Sequence, residues 1–400
     1  MRSSPFWASA VLLGAIPVRA LDWVPLLDSA FLLGQTYQQG RATSWQGNAS
    51  LQFTPAVKLS DRLALIPTYS GKYQGSKNAA ELLGGSQLFQ DSQSHSVSVK
   101  GVWRVGEFKI KPSAGYRWEM LRETKDETWG KGLFDYRKPS AGVELERAFG
   151  QYKVGAGFDY YEIRFPNYSS LDSSQFGGSL GREQSQGHTL DSRNLSGTLS
   201  GTVPLPFEGG AARLALNLTE RSYPEQFVVV ESGGLSAEKR QDDSKSASGT
   251  FYYGRSLGSS VAGLFSVQVM LSRYRSNQNH YDAELNLFNK DYYSYEERSV
   301  QPRIALAIGE RRVEASLSYL WIERDYLTRL AQVGSGSYTE QTVRLTQSSF
   351  LADLGVPIGA GFKAVSQLTV SHSQSNMRYE KTFRYNYEIS SALVGLSYSF

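Results

Sequence analysis

Histidine, serine and carboxylate residues are the groups in this 400-residue sequence that could do acid–base or nucleophilic chemistry. The residues two places after the four histidines are Val97, Leu190, Asp282 and Gln374, and those two places before are Gln93, Gln186, Gln278 and Val370. Neither a His-x-Ser nor an acid-x-His pattern occurs. His280 and Asp282 could form a local pair, but a triad also needs a nucleophile held in place. We therefore predict that the protein is not an enzyme.

Metal and cofactor chemistry has no strong signal either. The sequence has no cysteine, which excludes disulfides and any zinc or iron–sulfur site built on thiolates. Four dispersed histidines do not suggest a transition-metal site, and no glycine pattern predicts a phosphate-binding turn. A net charge of +4 is too small to indicate a nucleic-acid partner. We expect no metal, no cofactor and no nucleic acid.

The elements that must position the remaining polar groups show the two-residue alternation of β-strands. In the segment 107–121, Phe108, Tyr116 and Trp118 share one face, while Lys109 and Arg117 lie on the other. Similar alternation predicts about sixteen strands, an even number. The predicted spans are 29–42, 47–58, 62–74, 93–104, 107–121, 134–147, 150–164, 189–205, 210–222, 243–257, 261–275, 293–308, 312–325, 342–356, 361–376 and 385–400. In 342–356, Val343 and Leu345 are out of phase with Phe350 and Leu354, which a bulge could absorb.

The predicted connections alternate between short turns and longer polar loops. The longer ones are 75–92, 122–133, 165–188, 223–242, 276–292, 326–341 and 377–384. A β-sandwich has no reason to sort its loops in this way, whereas an outer-membrane barrel places short turns on one side and long loops on the other. Tyrosines and a phenylalanine around 276–292 (Tyr281, Phe288, Tyr292, Tyr293, Tyr295) could bind sugars. We prefer an interfacial girdle for the last three.

The last strand is the most specific signal. Val394, Leu396, Tyr398 and Phe400 alternate with small or polar residues, and the sequence ends on Phe400. In this the chain resembles the Gram-negative outer-membrane β-barrel class, over residues 29–400. The resemblance implies that these four residues form the signal read by the barrel-assembly machinery. It also implies outer-membrane lipid and lipopolysaccharide as partners, and a multi-pass outer-membrane location.

The N-terminal residues 1–20 have the features of a signal peptide. Arg2 supplies a positive start, 6–18 is largely apolar, and Val18-Arg19-Ala20 fits a cleavage site. The predicted organisation is therefore a signal peptide at 1–20, a short periplasmic segment at 21–28 and an all-β, closed antiparallel transmembrane barrel at 29–400.

If apolar faces meet lipid, their alternates line a lumen. The predicted pore-lining residues are basic: Lys100, Lys109, Lys111, Arg117, Lys153, Arg213, Arg221, Arg303, Arg324 and Lys363. About fifteen basic and about six acidic side chains fall on this face by the alternation rule, which would favour anions. Paired charges that only keep the lumen hydrated are the alternative.

Two functional hypotheses follow. The first is a conduit for polar, anionic solutes or an exported polysaccharide. The second is a non-conducting barrel that serves as an anchor or sheath in an envelope complex for secretion, motility or electron transfer. Periplasmic export or envelope-complex proteins would be partners in either case.

Overall fold

The computed structural model describes residues 22–75, 91–122, 126–168, 187–258, 260–380 and 385–400. The predicted signal peptide at 1–20 lies outside these ranges, as do most of the predicted loops 75–92 and 165–188. The described residues form a closed antiparallel barrel of sixteen strands, and the all-β barrel prediction is confirmed. Among them there is no helix that is both long and apolar enough to cross a membrane.

The first half of the barrel contains β1 (Asp22–Val24), β2 (Leu27–Gln38), β3 (Arg41–Phe53), β4 (Ala56–Lys58), β5 (Leu63–Gln74), β6 (Asp91–Val105), β7 (Phe108–Arg122), β8 (Tyr136–Phe149), β9 (Tyr152–Ile163) and β10 (Ser192–Pro204). The second half contains β11 (Gly210–Val229), β12 (Leu235–Ser256), β13 (Val261–Ser276), β14 (His280–Asp282), β15 (Leu287–Asn289), β16 (Tyr295–Ile308), β17 (Val313–Gln332), β18 (Tyr338–Gly359), β19 (Phe362–Ser375) and β20 (Tyr387–Ser399).

Four of these strands are additions to the sixteen-strand wall. The short strand β4 follows β3 after Pro55 and pairs with β5 and β1, and β14 and β15 form a separate hairpin between β13 and β16. The segment 21–28, which was predicted to precede the barrel, contains β1 and the first two residues of β2. Each wall strand pairs with its neighbour in sequence, which is the up-and-down order that alternation and turn length predict.

The barrel closes where β2 pairs with β20, from Asp28 opposite Ser399 to Gln38 opposite Ile389. This seam depends on two glycines. A Cβ atom at Gly34 would lie 1.9 Å from the carbonyl oxygen of Ala392, and one at Gly395 would lie 1.8 Å from that of Phe31. Only glycine permits so close an approach of main chain to main chain.

The outward face of the barrel is apolar at mid-height. Large exposed hydrophobic side chains point outward from most strands: Phe31, Leu51, Val97, Tyr116, Val143, Phe158, Leu199, Leu216, Val269, Ile304, Leu317, Phe350, Leu368 and Val394. Within the described strands, ionised outward-facing residues are confined to the two ends. A continuous apolar band of this kind requires an apolar solvent, because each exposed Å² costs roughly 25 cal/mol in water.

Two hairpins are longer than predicted. The regions 223–242 and 326–341, which we predicted as external loops, mostly continue the β11–β12 and β17–β18 pairs, with register shifts after Ser222 and after Asp325. They extend past the apolar band: outside Trp321, the outward positions of β17 carry Glu323 and Asp325. The outward face of these extensions meets water, and their buried face mixes polar residues such as Gln226 and Asp242 with apolar ones such as Val229 and Ala331. The alternation of polarity that reveals a membrane strand is therefore absent.

The predicted bulge in β18 is wrong. The pairing of β17 with β18 is continuous from Glu314–Gly355 to Asp325–Arg344. Val343 and Leu345 are out of phase because they point inward, where they are 1% and 2% exposed. They join Tyr326 and other residues in an apolar cluster inside the extracellular end of the barrel.

Candidate functional site: the lumen and its extracellular mouth

A ladder of ion pairs covers the lumen face of β6, β7 and β8. Lys111 Nζ lies 2.8 Å from both Glu144 Oε1 and Glu146 Oε2. Lys109 Nζ is 3.1 Å from Glu146 Oε1, and Lys100 Nζ is 3.5 Å from Glu144 Oε2. The register of β7 with β8 sets this pattern, because it places Lys109 opposite Glu146 and Lys111 opposite Glu144. Much of the predicted positive charge of this wall is therefore neutralised.

Other predicted pore-lining residues are paired as well. Arg117 binds Glu119 with its Nη2 2.5 Å from Oε2, and Lys363 Nζ lies 2.7 Å from Glu314 Oε1. On the opposite wall, Arg324 Nη2 lies 2.6 Å from Glu297 Oε2. These pairs agree with the alternative that lumen charges mainly stiffen and hydrate the wall.

Four predicted residues have no ion pair within the described part of the chain, and three of them are exposed. Lys153 on β9 and Arg213 on β11 are both exposed, and both pair in register with Thr202 of β10. They therefore lie at one level on neighbouring strands. Arg303 on β16 is also exposed and donates a hydrogen bond to Ser316 Oγ at 3.4 Å.

Arg221, the tenth predicted residue, also lacks a described carboxylate partner. Its Nε donates to Asn194 Oδ1 at 2.7 Å, and its Nη1 lies 3.4 Å from the Tyr223 hydroxyl. It lies toward the extracellular end, where the lumen becomes crowded with aromatic rings.

The extracellular mouth holds a cluster of arginines stacked on tyrosines. The guanidinium of Arg329 lies 4.7 Å from the ring of Tyr292 and 5.1 Å from that of Tyr326, and it donates to the Tyr385 hydroxyl at 2.5 Å. Burial raises the pKa of the Tyr292 hydroxyl, so it stays protonated. Arg324 lies 4.1 Å from the ring of Tyr295. Such cation–π contacts between desolvated groups are worth about 2 kcal/mol each.

A third arginine anchors the neighbouring side of the mouth. Arg240 on β12 forms a bidentate pair with Asp242, at 3.0 and 2.8 Å, and both side chains are almost fully buried. Its guanidinium lies between the rings of Tyr223, at 4.4 Å, and Tyr293, at 4.6 Å. The Tyr274 hydroxyl donates to Asp242 as well. Sequence reasoning missed Arg240 and Arg329 because it treated both positions as loop.

The segment 277–294, which contains β14 and β15, is held between the two long hairpins; we call it the cap. The amide of Gln278, which is 0% exposed, donates to the Phe227 carbonyl and accepts from the Val229 N–H, both at 3.0 Å. On the other side the Tyr338 hydroxyl donates to Asp282 Oδ2 at 3.0 Å. The cap thus bridges β11 and β18 and covers part of the mouth.

The girdle interpretation of Tyr292, Tyr293 and Tyr295 is wrong. All three rings stack on arginines at the mouth rather than face the lipid boundary. The remaining ring residues of this region are in the β14–β15 hairpin, where Tyr281 pairs in register with Phe288.

The sequence did contain a signal for the buried pair of Arg240 and Asp242. The two residues are two positions apart, so they share a face if the segment around them is a strand.

Among the described histidines, aspartates and glutamates, no group of three or more is close enough to hold a metal ion. His280 packs 4.6 Å from the ring of Tyr292.

The predicted assembly-signal residues lie on the outer surface beside the seam. Val394, Leu396 and Phe400 are 63%, 50% and 68% exposed, and the ring of Tyr398 packs 4.7 Å from that of Phe362.

No protein-family model and no curated relative matches the sequence. Among solved structures, the chain is similar to OmpT, an outer membrane protein of Vibrio cholerae, at 10% identity and a TM-score of 0.47, over 94% of this chain and 99% of that one. It is similar to a bacterial polysaccharide outer membrane secretin at 10% identity and a TM-score of 0.43, over 94% and 98%. It is also similar to the outer membrane protein OpdK of Pseudomonas aeruginosa, at 11% identity and a TM-score of 0.41, over 94% and 99%.

The structure's own geometry defines the class of the protein. Closure pairs the wall strands all the way round, the outside is apolar at mid-height, and the inside is polar. The chain is a multi-pass outer-membrane β-barrel.

Proposed function

We propose that the barrel is a channel for polar, anionic solutes or for an exported acidic polysaccharide. The observation that carries this proposal is the pair of exposed bases Lys153 and Arg213, which lie at one level with only Thr202 between them. An uncompensated positive charge in a pore with low-dielectric walls concentrates anions and repels cations.

The rest of the lumen supports passage of polar cargo without selecting its charge. The lumen faces of β10 and β12 carry Ser196, Thr198, Ser200 and Ser248, which offer hydroxyl groups to a hydrated solute. The ion-pair ladder is nearly neutral, so a few unpaired bases would set the preference.

Conductance of the purified full-length barrel in a planar bilayer tests the proposal. The expected result is a steady current with a reversal potential that shows anion preference. A cation-selective current would contradict it.

The anchor or sheath is the second candidate, and the cap is the observation that favours it. If the cap seals the mouth, the wild-type barrel will be silent. The hairpin can be removed cleanly, because the Tyr292 N–H already donates to the Gln278 carbonyl at 3.1 Å across its base. Replacing 280–290 by two glycines should then open a current if the barrel is a capped channel. Continued silence of this variant would favour the sheath.

Assembly by the barrel-assembly machinery through the C-terminal strand is a further part of this proposal. Replacing Phe400 by Ser, which removes a 68% exposed ring, should lower the amount of barrel inserted in outer membranes while refolding into detergent stays unchanged. Equal loss in both measurements would point to a packing role instead.

A further inference from the structure

The exterior of β12 differs from that of its neighbours because its outward residues at mid-height are small. Ala247 lies between Leu216 of β11 and Leu271 of β13, and Gly249 lies between Leu214 and Val269. The flanking side chains protrude strongly: Leu214, Leu216, Leu218 and Leu271 are each more than half exposed. The surface therefore has an apolar furrow that follows β12, with a small-residue floor and tall leucine walls.

Basic residues surround the extracellular end of this furrow. Lys245 is the next outward residue above Ala247 and lies in register between Leu218 and Arg273. Arg298 lies in register with Leu271 on the next strand. A groove of about 580 Å³ joins the two parts, and its lining includes the apolar Leu216, Ala247 and Leu271. Its charged end is lined by the basic Lys245, Arg273 and Arg298 and by the acidic Glu296, Glu297 and Asp325. Its apolar floor and charged end match an amphiphile rather than a soluble ligand.

The charges at the end of the groove are incompletely balanced. Lys245 is exposed and has no ion pair among the described residues. Arg273 has only a loose contact, with its Nε 3.7 Å from Glu296 Oε1, and Arg275 competes for the same oxygen at 3.8 Å. Arg298 is held by Glu323 and Asp325 on the far side. Lys245 and Arg273 are therefore the cations available to an additional anion.

We propose that this groove binds one lipopolysaccharide molecule, with an acyl chain over Ala247 and Gly249 and a lipid A phosphate at Lys245 and Arg273. The depth of the groove in the membrane supports lipopolysaccharide as its occupant. The outward residues change from apolar to charged between Leu271 and Arg273, which is the level of the headgroups of the outer leaflet. Two basic side chains can hold a phosphate by charge-assisted hydrogen bonds. The inference does not depend on what the lumen conducts.

Native mass spectrometry of the full-length barrel in detergent tests the site, with three probes: diphosphorylated lipid A, dephosphorylated lipid A and phosphatidylglycerol. The wild type should retain one diphosphorylated lipid A. Each basic residue near a lipid headgroup contributes a factor of about five in affinity, so Lys245→Gln with Arg273→Gln should weaken retention roughly twenty-five-fold. Ala247→Phe should also weaken it, because the ring fills the floor of the furrow.

Two matched variants serve as controls. Arg255→Gln removes an exposed charge from the same strand, at its periplasmic end. Ala141→Phe adds a ring at an outward alanine of β8. Neither should change retention. Equal retention of the dephosphorylated lipid, or equal loss in the control variants, would overturn the proposal. Equal retention of phosphatidylglycerol would overturn the choice of lipopolysaccharide as the occupant.

Discussion

The charge reversal Lys153→Glu with Arg213→Glu is the most direct probe of the lumen. The attraction to one of these charges stabilises a chloride ion that passes about 6 Å away by roughly 0.7 kcal/mol in water. At about 0.1 M salt, where the Debye length is about 10 Å, screening leaves roughly 0.4 kcal/mol. Two charges therefore give roughly 0.8 kcal/mol, which corresponds to about fourfold enrichment of anions and equal depletion of cations. The double variant should invert this preference.

The assay is the reversal potential of single channels in a KCl gradient around 0.1 M. The wild-type preference should nearly vanish at about 1 M, because the Debye length falls to about 3 Å. The control is the swap Lys363→Glu with Glu314→Lys, which exchanges the members of a pair 2.7 Å apart and keeps the net charge. A reversal potential that the double variant leaves unmoved, or that the swap inverts, would refute the assignment of selectivity to the unpaired bases.

Three further predictions concern stability. Gly34→Val should lower the yield of folded barrel several-fold, because its Cβ would lie only 1.9 Å from the carbonyl oxygen of Ala392. The yield is measured by heat-modifiable mobility on gels. The control Gly197→Val should fold normally, since no atom lies within 4 Å of a Cβ at that position. Arg324→Gln should lower the free energy of unfolding in urea by about 3 kcal/mol, because it leaves the buried Glu297 carboxylate without its partner. Adding Glu297→Gln should recover part of that loss, since no unpaired buried carboxylate is then left. No recovery would mean that the two residues are not coupled. Burial raises the pKa of Asp135 in the loop after β7, and a raised carboxyl pKa stabilises the fold only at lower pH. The protection of nearby amides against hydrogen exchange, relative to their intrinsic rates, should therefore fall as the pH rises through that pKa. Asp135→Asn should remove this pH dependence of the protection.

The membrane-embedded part of the fold was accessible from the sequence because lipid imposes a pattern. Where one face meets acyl chains and the other meets water, polarity alternates with a period of two, and each of the sixteen wall strands has a counterpart among the predicted spans. Above the lipid this contrast disappears. Asp242 faces inward and Asp243 outward on β12, but both are acidic, so polarity alone could not show that the strand continues.

The partners of the lumen charges were not accessible. Lys111 and Glu144 are thirty-three residues apart, and their contact depends on the register between β7 and β8. Alternation identifies the face of a side chain but not its height on the neighbouring strand. The same limit hid the stacking of Tyr292 on Arg329, because a tyrosine beside the end of a strand fits a lipid boundary and a filled mouth equally well.

The extracellular hairpins of the barrel end at unequal heights, and this determines which of them is reached first from outside the cell. The β17–β18 hairpin continues to a turn at Gly336, whereas β2 and β3 are joined by a two-residue turn at Gln39 and Gly40, both with positive φ. Antibodies, phages and proteases will therefore reach the tall hairpins first. An epitope tag inserted near Gly233 or Gly336 should be displayed on living cells, while one at Gly40 would lie close to the lipid surface and stay hidden.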